Sequence, residues 1–363
     1  MTLTDTTTAG STPVSTTQTP TARVAVVIPI PNDPDWGLFE ALSDKVPVIV
    51  VDDSDGRLAP PPRVNVRYYD YAAQQAEMGV HYAAIPHKSA ATRNFGHVVA
   101  YREGFDVIIA LDYDCRVRPG WLEAHLECLG SVVDAPALKG RWVNSIEAPG
   151  FYARGFPYEE READLPDVEE TTATGEVKLN MGVWDNVLDL NGIDKIQAEA
   201  PAEPGLRGSE NYVALGNIPV CGMNTAFRAE LTPAYFFLPD VWVNGWHLSR
   251  HDDIWGGYIV KKLMDRRGDL FSFGRPVVEH TRQSTLERVI MMEHYMHLMA
   301  RDFYAVVDEA MGTVAVGGYT EMFAHFSEEF CHCVERARLP GHYRQAFREL
   351  GQAMRNWAGV FGA

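Results

Sequence analysis

Residues Phe105 to Val117 read FDVIIALDYDCRV, and this stretch decides the fold class. It is apolar and rich in β-branched residues as far as Leu111, and it then carries two acids, Asp112 and Asp114. Such a run is typical of a strand that is buried on both faces. We therefore expect a buried strand with acidic side chains just beyond its carboxyl end.

Two earlier stretches repeat this pattern. They are RVAVVIPIP, which starts at Arg23, and VPVIVVDDSDG, which runs from Val46 to a glycine turn at Gly56. The stretch KSAATRNFGHVVAYREG, from Lys88 to Gly104, lies between the second and third runs and is typical of a helix with one apolar side. Strands that alternate with helices predict an α/β fold with a parallel sheet, and such sheets bind ligands at the carboxyl ends of their strands.

Composition limits the kinds of partner. The chain of 363 residues has a formal net charge of -17, which argues against nucleic acid or an anionic membrane as the main partner. No stretch approaches the roughly 18 apolar residues of a membrane span. Five scattered cysteines without a framework spacing suit a reducing cytosol, so we expect a cytoplasmic protein.

The chain divides into three parts by composition. Residues 1–22 are rich in Thr, Ser and Pro and lack the features of a signal peptide, so they are predicted to be a disordered tail. Residues 23–285 contain the strand runs and are predicted to form the main domain. Residues 286–363 have apolar side chains at three-to-four spacing, which predicts helices whose Met-rich face forms core or an interface between identical chains. No glycine-rich fingerprint follows the first strand, so no flavin or nicotinamide cofactor is expected.

Asp112 and Asp114 give the sharpest chemical signal in the first third of the chain. Residues two apart on an extended strand end project to the same side, so both carboxylates can bind one hard divalent cation. The alternative is a solvated turn after a strand. Context favours a metal site, because VDDSDG, TRN at Thr92 to Asn94 and LDYD have the order and spacing seen in nucleotide-sugar glycosyltransferases of the GT-A type, which this part of the chain resembles.

This resemblance implies a nucleotide-sugar site. Asp53 would contact the nucleoside, and Arg93 and Asp112 would lie at the diphosphate. Asp112 and Asp114 would also hold the metal ion, and His280 would complete its coordination, as a histidine does in many GT-A enzymes. For His280 the alternative is a hydrogen-bonded histidine at a strand end. An imidazole with two carboxylates suits Mn²⁺ better than Mg²⁺, which prefers oxygen ligands.

Five further blocks are more specific. They are ARGFPYEER from Ala153, GVWDNVLDLNGID from Gly182, IPVCGMNTAF from Ile218, SRHDDIWGGYIV from Ser249 and GRPVVEHTRQS from Gly274. In this order they resemble the reversibly glycosylated polypeptides, the UDP-arabinopyranose mutase family, over Arg23 to Ser284. The resemblance implies a GT-A-like, Rossmann-type mixed sheet flanked by helices, with a helical extension at the C-terminus.

The same resemblance implies an activity. The family's enzymes are metal-dependent mutases that interconvert the pyranose and furanose forms of a UDP-sugar such as UDP-arabinose without a flavin. In the family the first arginine of the ARGFPYEER loop, here Arg154, becomes reversibly glycosylated, and the second, here Arg161, is needed as well. The family's aspartate pair falls on Asp252 and Asp253.

Arginine is an unusual nucleophile, because its guanidinium group stays protonated at neutral pH. Attachment of a sugar to Arg154 requires nearby carboxylates to accept the proton. The candidate acceptors are Asp252, Asp253, Glu159 and Glu160. Two alternatives remain open for single residues, namely an anion clamp at Arg154 and a helix-capping role for the aspartate pair. Two remain open for the whole chain, namely a glycosyltransferase that moves the sugar to a separate acceptor and, less favoured, a non-catalytic member that only binds partners.

Overall fold

The computed structural model describes residues 22–58, 65–147, 150–161, 168–186, 188–197, 210–281 and 285–362. The tail predicted for residues 1–22 therefore lies outside the described residues, except for residue 22. The strands are β1 (Val24–Ile30), β2 (Val48–Asp52), β3 (Val66–Tyr69), β4 (Val107–Leu111), β5 (Cys115–Arg116), β6 (Gly130–Lys139), β7 (Glu169–Asn186), β8 (Tyr212–Ala214), β9 (Asn224–Arg228), β10 (Val241–Val243), β11 (Trp246–Leu248) and β12 (Leu270–His280). The helices are α1 (Gly37–Ser43), α2 (Tyr71–Met78), α3 (Arg93–Arg102), α4 (Trp121–Glu127), α5 (Gly192–Gln197), α6 (Asp252–Arg267), α7 (Leu286–Met311), α8 (Tyr319–Arg336) and α9 (Gly341–Gly359).

The apolar runs of the sequence form the parallel half of the main sheet. Strands β3, β2, β1 and β4 lie side by side in this order, and each neighbouring pair is parallel. Every residue of β1, β2 and β4 is buried, as the continuous apolar runs predict. The helix predicted from Lys88 begins only at Arg93, because Lys88 takes a left-handed φ of 56° and a short 3-10 turn precedes α3.

Strand pairs of both orientations extend the sheet beyond β4, antiparallel at β9 and parallel between β7 and β12. Strand β9 pairs with β4 and with β7, and the long strand β7 also pairs with β6 and β12. In this way ten of the described strands form one mixed sheet. The prediction of a mixed α/β sheet flanked by helices, with further helices at the C-terminus, is confirmed.

The pairing of β5 with β12 brings two distant parts of the chain together. His280 at the end of β12 lies opposite Cys115, the residue after Asp114. The N–H group of Thr281 also donates to the carbonyl oxygen of Asp114 at 2.9 Å. The histidine and the acidic turn after β4 therefore lie at the same edge of the sheet.

The C-terminal helices continue the core of the sheet. Trp255 of α6 stacks on Phe303 of α7, with ring centroids 4.1 Å apart. Met296 and Met299 of α7 are buried in the same apolar core, which is one of the two roles predicted for the Met-rich face. None of the described helices has the length and apolar character needed to cross a membrane.

Candidate active site

A cavity of about 710 Å³ lies at the carboxyl ends of β1, β2 and β4, where the parallel sheet predicts a ligand site. Its walls include eight of the nine site residues that the sequence predicts, and the exception is Arg161. The eight residues are Asp53, Arg93, Asp112, Asp114, Arg154, Asp252, Asp253 and His280. The fold therefore collects residues from separate sequence blocks around one cavity.

Asp53, which follows β2, joins that strand to the loop before α3. One carboxylate oxygen accepts hydrogen bonds from the Tyr71 hydroxyl and from the backbone N–H of Lys88, both at 2.8 Å. The other oxygen accepts from the N–H of Ser89 at 3.0 Å. Asp53 thus shapes this end of the cavity, and its contact with a nucleoside stays a prediction.

Arg93, the first residue of α3, is a fixed positive charge in the wall of the cavity. Its guanidinium group donates to Asp112 at 2.6 Å and to the carbonyl oxygens of Gly222 and Ala90 at 2.8 and 2.9 Å. Burial favours a lower pKa for Arg93, but the charges of Asp112 and Asp252 outweigh burial and raise that pKa. The side chain therefore stays charged beside the acidic turn.

The predicted metal ligands converge, although they do not form a closed coordination shell. His280 Nε2 lies 3.9 Å from Asp114 Oδ2, while Asp112 is engaged by Arg93. Across the described part of the chain, no three His, Cys, Asp or Glu side chains are close enough to hold an ion. The Asp114 Oδ1 atom is buried without a hydrogen-bond partner, and burial together with the charge of Asp112 raises the Asp114 pKa to about 6. A buried carboxylate oxygen that lacks a donor fits a divalent cation as its missing partner.

Arg154 lies on a loop that is tied to the segment after β7. The Arg154 N–H donates to the carbonyl oxygen of Asp189 at 2.9 Å, and the Gly155 N–H donates to the Asn191 side chain at 2.7 Å. Gly155 has a φ of 85°, and a Cβ atom at this position would lie 2.5 Å from Ile254 of α6. A glycine is therefore required both by the backbone conformation and by the close approach of α6.

The guanidinium group of Arg154 is buried between two carboxylates. Its Nε donates to Asp189 at 2.5 Å, and its Nη2 donates to Asp253 at 2.7 Å. Its Nη1 donates to the carbonyl oxygen of Arg250 at 2.6 Å and to Asp253 at 3.1 Å. Burial would lower the pKa of Arg154, but Asp189 and Asp253 outweigh it and hold that pKa well above its ordinary value. All three nitrogen atoms are thus committed to acceptors of the protein.

The two adjacent aspartates at the start of α6 have different surroundings. Asp253 accepts hydrogen bonds from Arg154 and from the N–H groups of Gly222 and Ile254. Asp252 is 5% exposed, and burial together with the charge of Asp253 raises its pKa to about 8. These surroundings therefore favour the protonated form of Asp252.

The other two candidate proton acceptors do not face Arg154. Glu159 is exposed to solvent, and Glu160 forms an ion pair with Arg141 at 3.0 Å. Neither glutamate lies among the residues that line the cavity. Neither glutamate is therefore placed to accept a proton from Arg154.

Arg161 lies outside the cavity and supports the loop. Its guanidinium group donates to Asp194 of α5 at 2.7 and 2.8 Å. The same group lies over the rings of Tyr152 and Tyr158, at 4.4 and 4.1 Å from their centroids. The structure therefore places Arg161 where it fixes the end of the loop that carries Arg154.

Sequence reasoning missed several charged residues that line the cavity, among them Asp189, Lys195, Asp240 and Arg250. Asp189 stands inside one of the quoted blocks. The only indication of its role was that a buried arginine such as Arg154 requires more than one carboxylate as a partner. Asp240 pairs with His247 at 3.2 Å, and burial raises the Asp240 pKa to about 6. None of these contacts follows from spacing along the chain.

Comparison with known proteins relates residues 23–362 of the chain to a protein family. A family model described as "Reversibly glycosylated polypeptide" matches residues 23–362, so the match continues beyond Ser284 through the C-terminal helices. UDP-arabinopyranose mutase 3 of Arabidopsis thaliana is 26% identical over 277 residues, which cover 71% of this chain and 70% of the relative. Probable UDP-arabinopyranose mutase 1 of Pisum sativum is 25% identical over 273 residues, with coverage of 71% and 70%. Probable UDP-arabinopyranose mutase 2 of Solanum tuberosum is 26% identical over 290 residues, with coverage of 74% and 73%.

Proposed function

Because the chain belongs to the reversibly glycosylated polypeptide family, we propose that it is a UDP-sugar mutase, the activity for which its relatives are named. The enzyme interconverts the pyranose and furanose forms of a UDP-sugar of the UDP-arabinose kind, and Arg154 carries the sugar between release and recapture. One observation carries this proposal. Arg154 lies at the cavity with its guanidinium group between the carboxylates of Asp189 and Asp253.

This arrangement fits a nucleophile better than a phosphate clamp. A clamp needs N–H groups that are free to meet phosphate oxygens, whereas those of Arg154 donate to Asp189, Asp253 and the Arg250 carbonyl. Carboxylates in contact with the guanidinium group are instead placed to take its proton. In the transfer step a bond forms between a guanidinium nitrogen and C1 of the sugar, the bond from C1 to the diphosphate oxygen breaks, and the N–H proton passes to Asp253.

The change of ring size follows while the sugar is attached. The ring opens at C1, the chain rotates, and a different hydroxyl closes the new ring on C1. Asp252 lines the cavity, and burial together with the charge of Asp253 raises its pKa to about 8, which favours its protonated form. It can therefore give a proton to the ring oxygen as it leaves and take one from the hydroxyl that closes the ring. The diphosphate oxygen then attacks C1, the bond between C1 and the Arg154 nitrogen breaks, and Asp253 returns the proton to that nitrogen.

A divalent cation belongs to this proposal, with Mn²⁺ favoured over Mg²⁺. Asp112, Asp114 and His280 would hold it, since they supply two carboxylates and an imidazole at one end of the cavity. The cation would offset the negative charge of the leaving diphosphate as a Lewis acid. Arg93, fixed beside Asp112, adds a permanent positive charge at the same place.

The decisive experiment follows the sugar onto the protein. The full chain is incubated with Mn²⁺ and a panel of labelled UDP-pentoses and UDP-hexoses, and the nucleotide sugars, the intact mass and the peptide map are then analysed. We expect interconversion of ring forms together with a sugar adduct on Arg154, and loss of both in excess EDTA. Full activity in excess EDTA would rule out the metal. A glycosyltransferase that needs a separate acceptor would leave Arg154 unmodified and the ring form unchanged.

The variant Arg154→Lys separates the nucleophile from a clamp. Lysine keeps the charge but cannot bridge Asp189 and Asp253 with a planar group, so we expect loss of the adduct and a fall in interconversion of the order of 1,000-fold or more. A clamp would lose only about 1 to 3 kcal/mol of substrate binding. Arg161→Lys is the matched control, because Arg161 lies outside the cavity. In this variant the sugar adduct should still map to Arg154. An Arg154→Lys protein that still interconverts ring forms would rule out Arg154 as the residue that carries the sugar.

A further inference from the structure

We propose that Glu293 of α7 is a positioning residue that holds Arg154 in place through Arg250. The proposal rests on the proposed function in one respect, namely that Arg154 is the reacting group. Glu293 is 1% exposed and is not among the residues that line the cavity, so it acts only through other side chains. It belongs to the C-terminal helices, which the sequence assigns to core or to an interface rather than to the site.

Both carboxylate oxygens of Glu293 are used at short distance. Oε1 accepts from Nε of Arg250 at 2.7 Å, and Oε2 accepts from the N–H of Gly192 at 2.7 Å. Gly192 is the first residue of α5 and follows the segment that contacts the Arg154 loop. Glu293 therefore binds two separate parts of the chain that both lead to Arg154.

Arg250 connects Glu293 to Arg154 through two sets of hydrogen bonds. Its Nη2 donates to Oδ1 of Asp189 at 3.0 Å, while Oδ2 of the same carboxylate accepts from Arg154 at 2.5 Å. Its own carbonyl oxygen accepts from Nη1 of Arg154 at 2.6 Å. A displacement of Arg250 would therefore move two of the acceptors that orient the reacting guanidinium group.

The backbone at Arg250 explains why an anchor is needed. Arg250 has a φ of 61°, a left-handed conformation that is unfavourable for a residue other than glycine and that persists only when its surroundings fix it. The ion pairs with Glu293 and Asp189 hold the side chain from two directions. They supply the restraint that keeps the Arg250 carbonyl directed at Arg154.

Charges alternate along this chain of contacts, in the order Asp253, Arg154, Asp189, Arg250 and Glu293. In a buried site each ion pair is strong only while every charge keeps its partners. Without the charge of Glu293, Arg250 would depend on Asp189 alone and would compete with Arg154 for that carboxylate. The reacting group would then lose its fixed orientation, although its own two carboxylates remain.

The test uses full-length Glu293→Gln, with Glu287→Gln in the exposed first turn of the same helix as the matched control. Two readouts are measured, namely kcat and KM of ring interconversion, and the rate at which phenylglyoxal modifies Arg154, followed by peptide mapping. For Glu293→Gln we expect kcat to fall about 10- to 100-fold with little change in KM, as for a misplacement of about 1 Å. We expect Arg154 to be modified about 10-fold faster, because its guanidinium group is no longer held in a fixed orientation. Glu287→Gln should match the parent in both.

A purely structural role for Glu293 predicts a different pattern. Phe330→Leu, in the buried core of α8, weakens the fold without touching the chain of ion pairs and serves as a stability-matched comparison. Equal modification of Arg154 in Phe330→Leu and Glu293→Gln at equal Tm would overturn the proposal, as would an unchanged kcat in Glu293→Gln. If Glu293→Gln does not fold, Arg250→Lys replaces it, since lysine cannot reach both carboxylates and should give the same loss of kcat. The rate of Arg154 modification can be measured without turnover. A wild-type protein without mutase activity would therefore refute the proposed function but would leave the positioning of Arg154 by Glu293 testable by this rate.

Discussion

At the scale of single residues, the two carboxyl groups at the start of α6 lie in different environments. Asp253 is paired with Arg154 and accepts two further backbone hydrogen bonds. The pKa of its neighbour Asp252 is raised to about 8 by burial and by the charge of Asp253. Neighbouring carboxyl groups in such different environments can divide the roles of acid and base. In the proposed reaction, Asp253 would take the proton of Arg154 and Asp252 would donate a proton to the sugar.

Asp252 gives a prediction about stability and pH. In the unfolded chain its carboxyl loses a proton near pH 4, whereas in the folded protein it keeps that proton up to about pH 8, so stability falls as the pH rises between these values. Asp252→Asn removes this dependence. We expect the variant to gain stability relative to the parent from pH 5 to pH 8, by at most about 1.4 kcal/mol per pH unit, while its mutase activity falls.

Urea unfolding at several pH values measures the effect. Asp44→Asn, at an exposed position after α1, controls for the loss of one carboxyl group. A stability difference between Asp252→Asn and the parent that does not change with pH would contradict a raised pKa at Asp252.

At the scale of elements, the loop from Phe151 to Arg161 gives its two arginines separate roles. Arg154 enters the cavity, whereas Arg161 binds Asp194 of α5 and fixes the far end of the loop. Between them Gly155 turns the backbone with a φ of 85° and packs against Ile254 of α6. The loop therefore depends on a glycine for both its turn and its contact with the helix that carries Asp253.

Gly155→Ala tests this dependence. The added methyl group would strain the left-handed backbone and would lie 2.5 Å from Ile254, so we expect a loss of stability of about 2 to 5 kcal/mol and a loss of activity. Gly150→Ala is a matched control, because Gly150 has a φ of 80° but no atom within 4 Å of the position that an added methyl group would take. Chemical unfolding of both variants measures the difference. An equal loss in the two would show that contact with Ile254 is unimportant.

The elements show what can be derived from the sequence and what cannot. The buried strands follow from continuous apolar runs, because such runs have few other stable environments. The late start of α3 does not follow, since Lys88 adopts its left-handed φ where the N–H groups of Lys88 and Ser89 bind Asp53. The ion pair between Arg154 and Asp189, 35 residues away, could not be foreseen either. Asp253, 99 residues away, was expected near Arg154 only through the family resemblance. Only the fold decides which distant carboxylates approach a given arginine.

At the scale of the whole molecule, the C-terminal helices belong to the same core and the same cavity as the sheet. Arg288 and Met292 of α7 line the cavity, and Phe303 stacks on Trp255 of α6. The family match runs to residue 362 and includes these helices. The separation of residues 286–363 as a region of their own, and an interface between identical chains, stay predictions.

The continuous core predicts that the molecule unfolds as a unit. Phe303 is fully buried, so Phe303→Ala should remove about 3 to 5 kcal/mol of stability and lower the midpoint for the sheet and the helices together. Leu298→Ala is the control on the same helix, because Leu298 is 62% exposed and should change little. Differential scanning calorimetry tests the prediction. Two separate transitions, of which only one responds to Phe303→Ala, would contradict it.

The buried position of Arg154 between two carboxylates also limits how this chain can change in evolution. Replacing any one of the three removes at least one buried ion pair, at a cost of up to about 3 to 5 kcal/mol, whether or not the protein still acts on a sugar. We therefore expect Arg154, Asp189 and Asp253 to be kept or lost together. A descendant that lost catalytic activity would retain the three for stability. Their presence in a related sequence would therefore indicate the same fold and would not by itself indicate the same reaction.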